Sequence, residues 1–147
     1  MGGSNELKLE NQLCFPLYAA ARKIVAAYGS HLKPLGLTYT QYILFLVLWE
    51  KDHVLVSDIC SRLMLDSGTI TPLLKKLETK GYLKRERSTE DERCVYIVLT
   101  ESGQQLREQA KDIPQQICSC VPLTEQEVSQ LYIMLYKILN NDKQTCY

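Results

Sequence analysis

The feature that most constrains the fold is a change in hydrophobic periodicity near residue 81. Before it, apolar residues recur at three- and four-residue spacing, which is typical of amphipathic helices. After it, segments 82–87 and 94–99 alternate or are rich in β-branched and apolar residues, which predicts two strands. The polar segment 88–93 separates them. The sequence therefore predicts a mainly helical chain with one small β-hairpin that has a long charged tip.

Six helical segments are predicted from apolar spacing, caps and breakers. Capping boxes that begin at Thr38 and Thr124 mark the starts of two of them, and Ser67 is expected to be the N-cap of a third. Pro16 lies inside the first segment and is expected to kink it unless the helix starts near this residue. The predicted helices cover residues 6–32, 38–49, 56–64, 67–80, 100–118 and 124–140.

Two short helices followed by a charged hairpin are the order of a winged helix-turn-helix, expected here at residues 38–99. The fourth predicted helix of the chain, 67–80, would enter the major groove of duplex DNA, and the hairpin tip would enter the neighbouring minor groove. The first and last helices are too long to bury their apolar faces on so small a unit. Residues 6–37 and 100–141 are therefore expected to form a helical dimerisation region. Residues 1–5 are expected to be a disordered N-terminus or tag remnant, and 142–147 a frayed tail.

Charge is unevenly distributed, although the formal net charge is zero. Residues 62–87 carry seven basic and three acidic groups, a local +4. Residues 88–147 carry five basic and nine acidic groups, a local −4. The basic middle coincides with the predicted DNA-binding unit and is the electrostatic pattern expected of one. Ordinary variation of a protein surface would also account for it.

The chain is expected to be cytoplasmic and not membrane-bound. Its N-terminus lacks a signal pattern, and its longest apolar run, 42–49, is far shorter than a membrane span. Cysteines in that compartment rest as thiols. Neither His31 nor His53 is spaced with them as in a zinc site, so no metal and no cofactor are expected. The six cysteines are Cys14, Cys60, Cys94, Cys118, Cys120 and Cys146.

Several segments carry a family resemblance: Leu65–Glu78, Gly81–Leu83, Asp91–Arg93 and Leu99–Gly103. They resemble the MarR family of bacterial regulators. The additional segments Asn11–Phe15 and Leu37–Tyr42 are similar to its organic-hydroperoxide-sensing branch, including thiol-based oxidation sensors of Gram-positive bacteria. The resemblance covers about residues 6–141 and implies a winged helix-turn-helix that binds double-stranded DNA as a homodimer.

The resemblance assigns the DNA contacts to two places. On the wing, Arg93 corresponds to an arginine that enters the minor groove, and Asp91 to the acid that orients it. Arg85 and Arg87 on the wing strand are expected phosphate contacts. A solvated surface would also explain several of these cations. The recognition-helix residues expected to touch phosphates and base edges are Ser67, Thr69, Thr71, Lys75 and Lys76.

The resemblance also makes Cys14 the oxidised thiol, with Tyr28 and Tyr39 of the partner subunit hydrogen-bonding its sulfur. Tyr18, one turn away, would line the same pocket. From the residues alone, Cys14 is equally a small buried hydrophobe, as is expected of Cys60, Cys94 and Cys146.

In two-cysteine members a resolving thiol from the other subunit forms a disulfide, and Cys118 and Cys120 are the candidates. One-cysteine members rely on a small-molecule thiol. The Cys118–Cys120 spacing would also suit a soft metal such as copper(I).

These observations predict a non-enzymatic repressor that binds a pseudo-palindromic operator and is released when an organic hydroperoxide, or a related oxidant, oxidises Cys14. Three alternatives stay open. A small phenolic or aromatic ligand would replace the oxidant as the signal. A thiol peroxidase would use the same cysteine catalytically. A protein-interaction module would keep the fold without binding DNA.

Overall fold

The computed structural model describes residues 5–141. Cys146, the expected tail and most of the expected tag remnant lie outside the described residues. Its helices are α1 (Cys14–Leu32), α2 (Tyr39–Glu50), α3 (Val56–Leu63), α4 (Ser67–Thr79), α5 (Glu101–Ala110), α6 (Ile113–Cys118) and α7 (Glu125–Leu139). Its strands are β1 (Val54–Leu55), β2 (Leu83–Arg87) and β3 (Val95–Leu99). The prediction of a mainly helical chain with one hairpin is confirmed.

The hairpin belongs to a three-stranded antiparallel sheet of order β1-β3-β2. Leu83 pairs with Leu99 and Arg87 with Val95, so the two long strands match the predicted segments to within a residue. The sequence analysis missed β1, which pairs with the other edge of β3 and is only two residues long. The carboxylate of Asp52 extends this edge by accepting a hydrogen bond from the Leu99 amide at 2.9 Å.

The turn between α3 and α4 is tight because Met64 adopts a left-handed backbone conformation, with φ of 54°. The expected N-cap of α4, Ser67, is wrong, since the cap is Asp66. One carboxylate oxygen of Asp66 accepts from the Thr69 amide at 2.9 Å, and the other accepts from the Thr69 hydroxyl at 3.0 Å. These hydrogen bonds favour the ionised carboxylate and lower the pKa of Asp66.

Two long helices predicted from the sequence are shorter in the structure. The first begins at Cys14 rather than residue 6, after a short 3-10 turn at Leu9–Asn11. Pro16 is therefore the third residue of α1, where its missing N–H would have no partner within the helix, and the alternative of a helix that starts near this proline is confirmed. The predicted helix 100–118 is divided into α5 and α6 because Pro114 cannot continue the hydrogen bonds of α5.

The core surrounds α2 and joins it to α4, the sheet, α5 and α6. In contrast, every residue of α7 except the half-buried Leu135, and nearly all of the first half of α1, is exposed. Large apolar side chains stand on both surfaces without cover from the described chain. On α1 they are Phe15, Leu17, Tyr18, Ile24 and Val25, and on α7 they are Val128, Leu131, Tyr132, Ile133, Met134, Tyr136, Ile138 and Leu139. No helix within residues 5–141 is long and apolar enough to cross a bilayer.

One close contact fixes α5 against the sheet and α2. The indole N–H of Trp49 donates to the carbonyl oxygen of Gly103 at 3.0 Å. A Cβ atom on Gly103 would lie 2.1 Å from the carbonyl oxygen of Tyr82, closer than any real contact. Only glycine therefore lets α5 approach this closely.

We expect Gly103→Ala to lower the free energy of unfolding by roughly 1–3 kcal/mol or more, because the backbone must shift to admit the methyl group. Gly29→Ala is the matched control, since a Cβ atom there, in the last turn of α1, meets nothing within 4 Å. That control should raise the free energy of unfolding by about 0.5–1 kcal/mol. Urea unfolding of both variants measures the difference, and equal stabilities would contradict the close contact.

Candidate nucleic-acid interface and thiol site

Helix α4 divides cleanly into a core face and an outer face. Ile70, Leu74 and Leu77 are buried and hold the helix against the sheet and α3. The outer face carries the predicted contact residues, of which Thr71 is half-buried and the others are exposed: Ser67, Thr69, Thr71, Lys75 and Lys76. The Thr69 hydroxyl donates to Asp66, so its oxygen is left as an acceptor only.

The hairpin tip is a folded loop held by its own hydrogen bonds. The Ser88 amide donates to the Cys94 carbonyl, and the Cys94 amide donates to the Asp91 carbonyl, both at 2.9 Å. The Ser88 hydroxyl oxygen accepts from the amides of Glu90 and Asp91. The tip therefore presents its side chains from a defined position.

Arg93 projects from this tip with 92% of its side chain exposed. Its amide donates to the Asp91 carboxylate at 3.0 Å, and its Nε donates to the same oxygen at 3.3 Å. These bonds leave the outer edge of the guanidinium open. Arg93 and Thr71 line one cleft of about 240 Å³ between α4 and the hairpin, so the two elements present a shared surface.

Arg85 has a contact that the sequence analysis missed. Its Nε and Nη2 both lie 2.8 Å from Oε2 of Glu78, near the end of α4. The pair ties β2 to the recognition helix and thereby sets where the hairpin stands. This interaction joins residues seven apart through the turn at Gly81, so neither strand nor helix spacing could reveal it. The expected phosphate contacts of Arg85 and of the exposed Arg87 stay predictions.

Cys14 is the first residue of α1 and is exposed. The interpretation of Cys14 as a buried small hydrophobe does not hold within one chain. Its neighbours Leu13 and Phe15 are exposed by 80% and 42%, so the thiol stands on an uncovered apolar surface. It also stands at a helix N-terminus, where free N–H groups attract negative charge. The Tyr18 ring faces the guanidinium of Arg22, 5.4 Å from its centroid.

Tyr28, near the other end of α1, meets Tyr39 at the start of α2. Their ring centroids are 4.8 Å apart, and Tyr42 completes the cluster at 5.6 Å from Tyr28 and 6.4 Å from Tyr39. Tyr42 was not predicted, although it lies one helical turn after Tyr39 on α2. Cys14 lies about 21 Å from Tyr28 along the same helix, so the cluster cannot receive the thiol of its own chain.

Burial raises the pKa of Tyr39. Burial also raises the pKa of Tyr42, and together with the charges of Tyr28 and Tyr39 it brings that pKa to about 12. Burial also raises the pKa of Tyr28, and the charges of Tyr39 and Cys118 add to it. The Cys118 thiol therefore lies within electrostatic reach of the Tyr28 phenol. The packing of α6 against α1 produces this placement.

Cys120 has a different environment from Cys118. It follows the end of α6, and its thiol donates to the Gln116 carbonyl at 3.4 Å. The five cysteines within residues 5–141 are all free thiols, and Cys60 and Cys94 are half-buried. In this part of the chain no three His, Cys, Asp or Glu side chains stand close enough together to hold a metal ion.

Comparison with known families identifies this arrangement. The family model for the transcriptional regulators SarA and Rot matches residues 26–110. The chain belongs to the SarA/Rot family of transcriptional regulators. It is 45% identical to the organic hydroperoxide resistance transcriptional regulator of Bacillus subtilis over 92% of both chains. The predicted resemblance to MarR-type regulators of the organic-hydroperoxide branch is confirmed by this relative.

Solved structures of AbfR, a protein similar to this chain, agree with the fold. Reduced AbfR bound to DNA is 39% identical, with a TM-score of 0.76 over 91% of this chain and 93% of that one. Disulfide-formed AbfR is 38% identical, with a TM-score of 0.66 over 91% and 94% of the two chains. AbfR comes from Staphylococcus epidermidis. These similarities confirm the predicted winged helix-turn-helix.

The tyrosine cluster of this SarA/Rot family regulator predicts a pH dependence. The pKa of Tyr42 is raised from 10.0 to about 12, so the fold favours its neutral form. Its contribution to the free energy of unfolding is complete below about pH 10 and is lost as the pH rises toward 12. We expect Tyr42→Phe to show a flatter decline over that interval than the wild type. Urea unfolding at a series of pH values measures it.

Below about pH 9 the free energies of the two proteins should differ by a constant amount, which serves as the internal control. Parallel declines above pH 10 would show that Tyr42 does not contribute to alkaline sensitivity.

Proposed function

We propose that this chain is a repressor of transcription that binds a pseudo-palindromic operator in double-stranded DNA as a homodimer. Oxidation of Cys14 by an organic hydroperoxide or a related oxidant releases it. The observation that carries the proposal is the contact of the Tyr28 and Tyr39 rings at an end of α1 that the chain's own Cys14 cannot reach, with α6, which ends at Cys118, packed on the same helix. The cluster becomes a complete thiol site when a second copy supplies Cys14.

The DNA-binding half of the proposal, residues 38–99, rests on the shared surface of α4 and the hairpin. Hydroxyls and lysines on the outer face of α4 suit phosphates and base edges in the major groove. Arg93, held by Asp91, suits a narrow minor groove of high negative potential. AbfR, a relative with the same fold, has been solved bound to DNA.

The dimer half, residues 6–37 and 100–141, rests on the uncovered apolar surfaces of α1 and α7. A second copy related by a twofold axis would cover the same surface on both chains. If the two α1 helices run antiparallel with the axis near Ala21, Cys14 of each lies opposite Tyr28 of the other. The small side chains of Ala19–Ala21 at that midpoint allow a close approach.

The chemistry proceeds in two balanced steps. The Cys14 thiolate attacks a peroxide oxygen, the O–O bond breaks, and the alkoxide leaves and takes a proton to become an alcohol. Cys14 is then a sulfenic acid. The thiolate of Cys118 from the other subunit attacks that sulfur, an S–S bond forms, and hydroxide leaves to become water. Cys118 belongs to α6, which packs on α1, and its charge contributes to the raised pKa of Tyr28, whereas Cys120 follows the end of α6; this favours Cys118 as the resolving thiol.

In a second candidate function the protein is still a DNA-binding repressor, but a small ligand rather than an oxidant releases it. A cleft of about 360 Å³ between α2, α5 and α6 is lined by the apolar Tyr42, Leu46 and Trp49 and by the cationic Arg107 and Lys111. Its one acidic lining residue, Glu50, is paired with Arg62. Aromatic surface next to cations suits a small aromatic carboxylate. Such a ligand would release the repressor without any cysteine chemistry.

One equivalent of cumene hydroperoxide should convert the wild type to a dimer-sized band on a non-reducing gel and release it from DNA. Both Cys14→Ser and Cys118→Ser should lose the band, and Cys118→Ser should carry one added oxygen by intact mass. Cys120→Ser is the matched control and should behave as the wild type. Cys14→Ser should stay bound to DNA in the presence of oxidant.

Each other outcome selects an alternative. Oxidant release of Cys14→Ser would refute the sensor, and loss of the band in Cys120→Ser alone would make Cys120 the resolving thiol. A wild-type monomer with one added oxygen would indicate the one-cysteine mode. Repeated peroxide consumption with a thiol reductant would indicate a peroxidase. Release of Cys14→Ser by salicylate would favour the second candidate function.

Arg93→Ala should lower the affinity for duplex DNA by about tenfold or more, because each subunit loses its minor-groove contact. Arg107→Ala removes the same charge from α5 and is the matched control, expected to bind as the wild type. Fluorescence anisotropy with a labelled duplex of mixed sequence at low salt measures both. Equal affinities of the two variants would exclude the hairpin from the DNA interface.

A further inference from the structure

A second polar concavity lies beside the outer face of α4, where α4 meets the start of α2. We call it the α2–α4 cradle. It encloses about 450 Å³ and also touches the backbone at Gly36. None of its lining side chains is acidic, and three are cationic. The lining side chains are Thr38, Gln41, Lys75, Lys76, Thr79 and Lys80.

Gln41 is the buried polar residue of the described chain, with a relative exposure of 4%. Its orientation is fixed by the capping box of α2. The side-chain oxygen of Gln41 accepts from the backbone N–H of Thr38 at 3.0 Å, and the backbone N–H of Gln41 donates to the Thr38 hydroxyl at 3.3 Å. The amide nitrogen of the side chain therefore occupies the other position, turned away from Thr38.

That side-chain nitrogen has no hydrogen-bond acceptor among residues 5–141. Within these residues every fully buried side-chain nitrogen or oxygen has a hydrogen-bond partner. Because the side-chain nitrogen of Gln41 has none, it is not fully buried, and it opens into the cradle that Gln41 lines. Nearly buried donors without an acceptor are rare in native proteins and point to a partner from outside the chain.

The remaining cradle groups are also donors. The Lys80 ammonium donates to the Gly36 carbonyl at 2.6 Å, which holds it at the wall between α4 and the turn before α2. Lys75 and Lys76 are exposed, and their ammonium groups belong to the same lined surface. A concavity that offers amide and ammonium donors without a carboxylate matches an oxyanion.

We propose that the α2–α4 cradle binds a phosphate of the DNA backbone, with Gln41 and Lys80 as contacts beyond those on the recognition helix. The inference deepens the proposed function and rests on it. Lys75 and Lys76 point to DNA rather than to a free phosphate, because they continue the outer face of α4 that would lie in the groove. The contact would fix the position of α4 on the duplex without reading sequence.

Gln41→Glu tests the proposal with little change to the fold. Glutamate at this position of a capping box still accepts from the Thr38 amide, but it replaces the cradle donor by a negative charge. We expect its affinity for a mixed-sequence duplex of about 30 base pairs to fall about tenfold. The slope of log K against log salt should fall by about 1.8, because the new carboxylate cancels one lysine charge in each of two cradles and each subunit then neutralises one phosphate fewer.

Lys80→Gln should also lower the salt slope. Because it changes a different residue of the cradle, it shows whether the effect of Gln41→Glu comes only from a fold defect at position 41. Gln104→Glu places the same negative charge on the exposed surface of α5 and should bind as the wild type. Circular dichroism of each variant verifies the fold. The preference for a selected operator over the mixed duplex should be unchanged in both cradle variants, as for any phosphate contact.

The outcomes separate the two proposals. Wild-type affinity and slope in Gln41→Glu and Lys80→Gln would overturn the phosphate site and leave the repressor intact. Failure of the wild type to bind any duplex would overturn both. Unchanged DNA binding, together with a rise in melting temperature by inorganic phosphate that only the wild type shows, would assign the cradle to a free anion and overturn the DNA contact.

Discussion

Burial of α2 is the constraint on which the other elements depend. Its side chains Tyr42, Phe45 and Leu48 are each at most 2% exposed, so α1, α4, α5, α6 and the sheet must all pack around one helix. Aromatic rings follow α2 from end to end. Tyr42 lies 6.4 Å from Trp49, and Phe45 lies 5.2 Å from Trp49 and 6.0 Å from Tyr82 at the root of the hairpin. The tyrosine cluster and the hairpin thus lie at opposite ends of one closely packed row of aromatic rings.

Much of this fold was predictable because its signals are local. Thr38 and Thr124 each cap the helix that the sequence assigned to them, and the hairpin strands follow from alternation. The errors also have local causes. A strand of two residues has no periodicity to detect, and Asp66 competed with Ser67 as a cap because both residue types accept from helix amides.

The candidate sites were predictable only in part. Family position suggested Cys14, Tyr28 and Tyr39, but the different surroundings of Cys118 and Cys120 depend on the packing of α6 on α1. The Glu78–Arg85 pair and the donors of the α2–α4 cradle come from segments that tertiary structure brings together. Side-chain direction across a packed interface has no counterpart in sequence spacing, and these features needed the three-dimensional structure.

Trp49 is the chain's single tryptophan, and its indole is bonded to the start of α5 midway between the tyrosine cluster and the hairpin. Emission excited at the red edge of indole absorption therefore arises from one place in the molecule. Any rearrangement that separates α2 from α5 changes the polarity around that indole and the colour of its light. The protein thus contains its own fluorescent probe at the contact between α2 and α5, and no label is needed to follow that contact in solution.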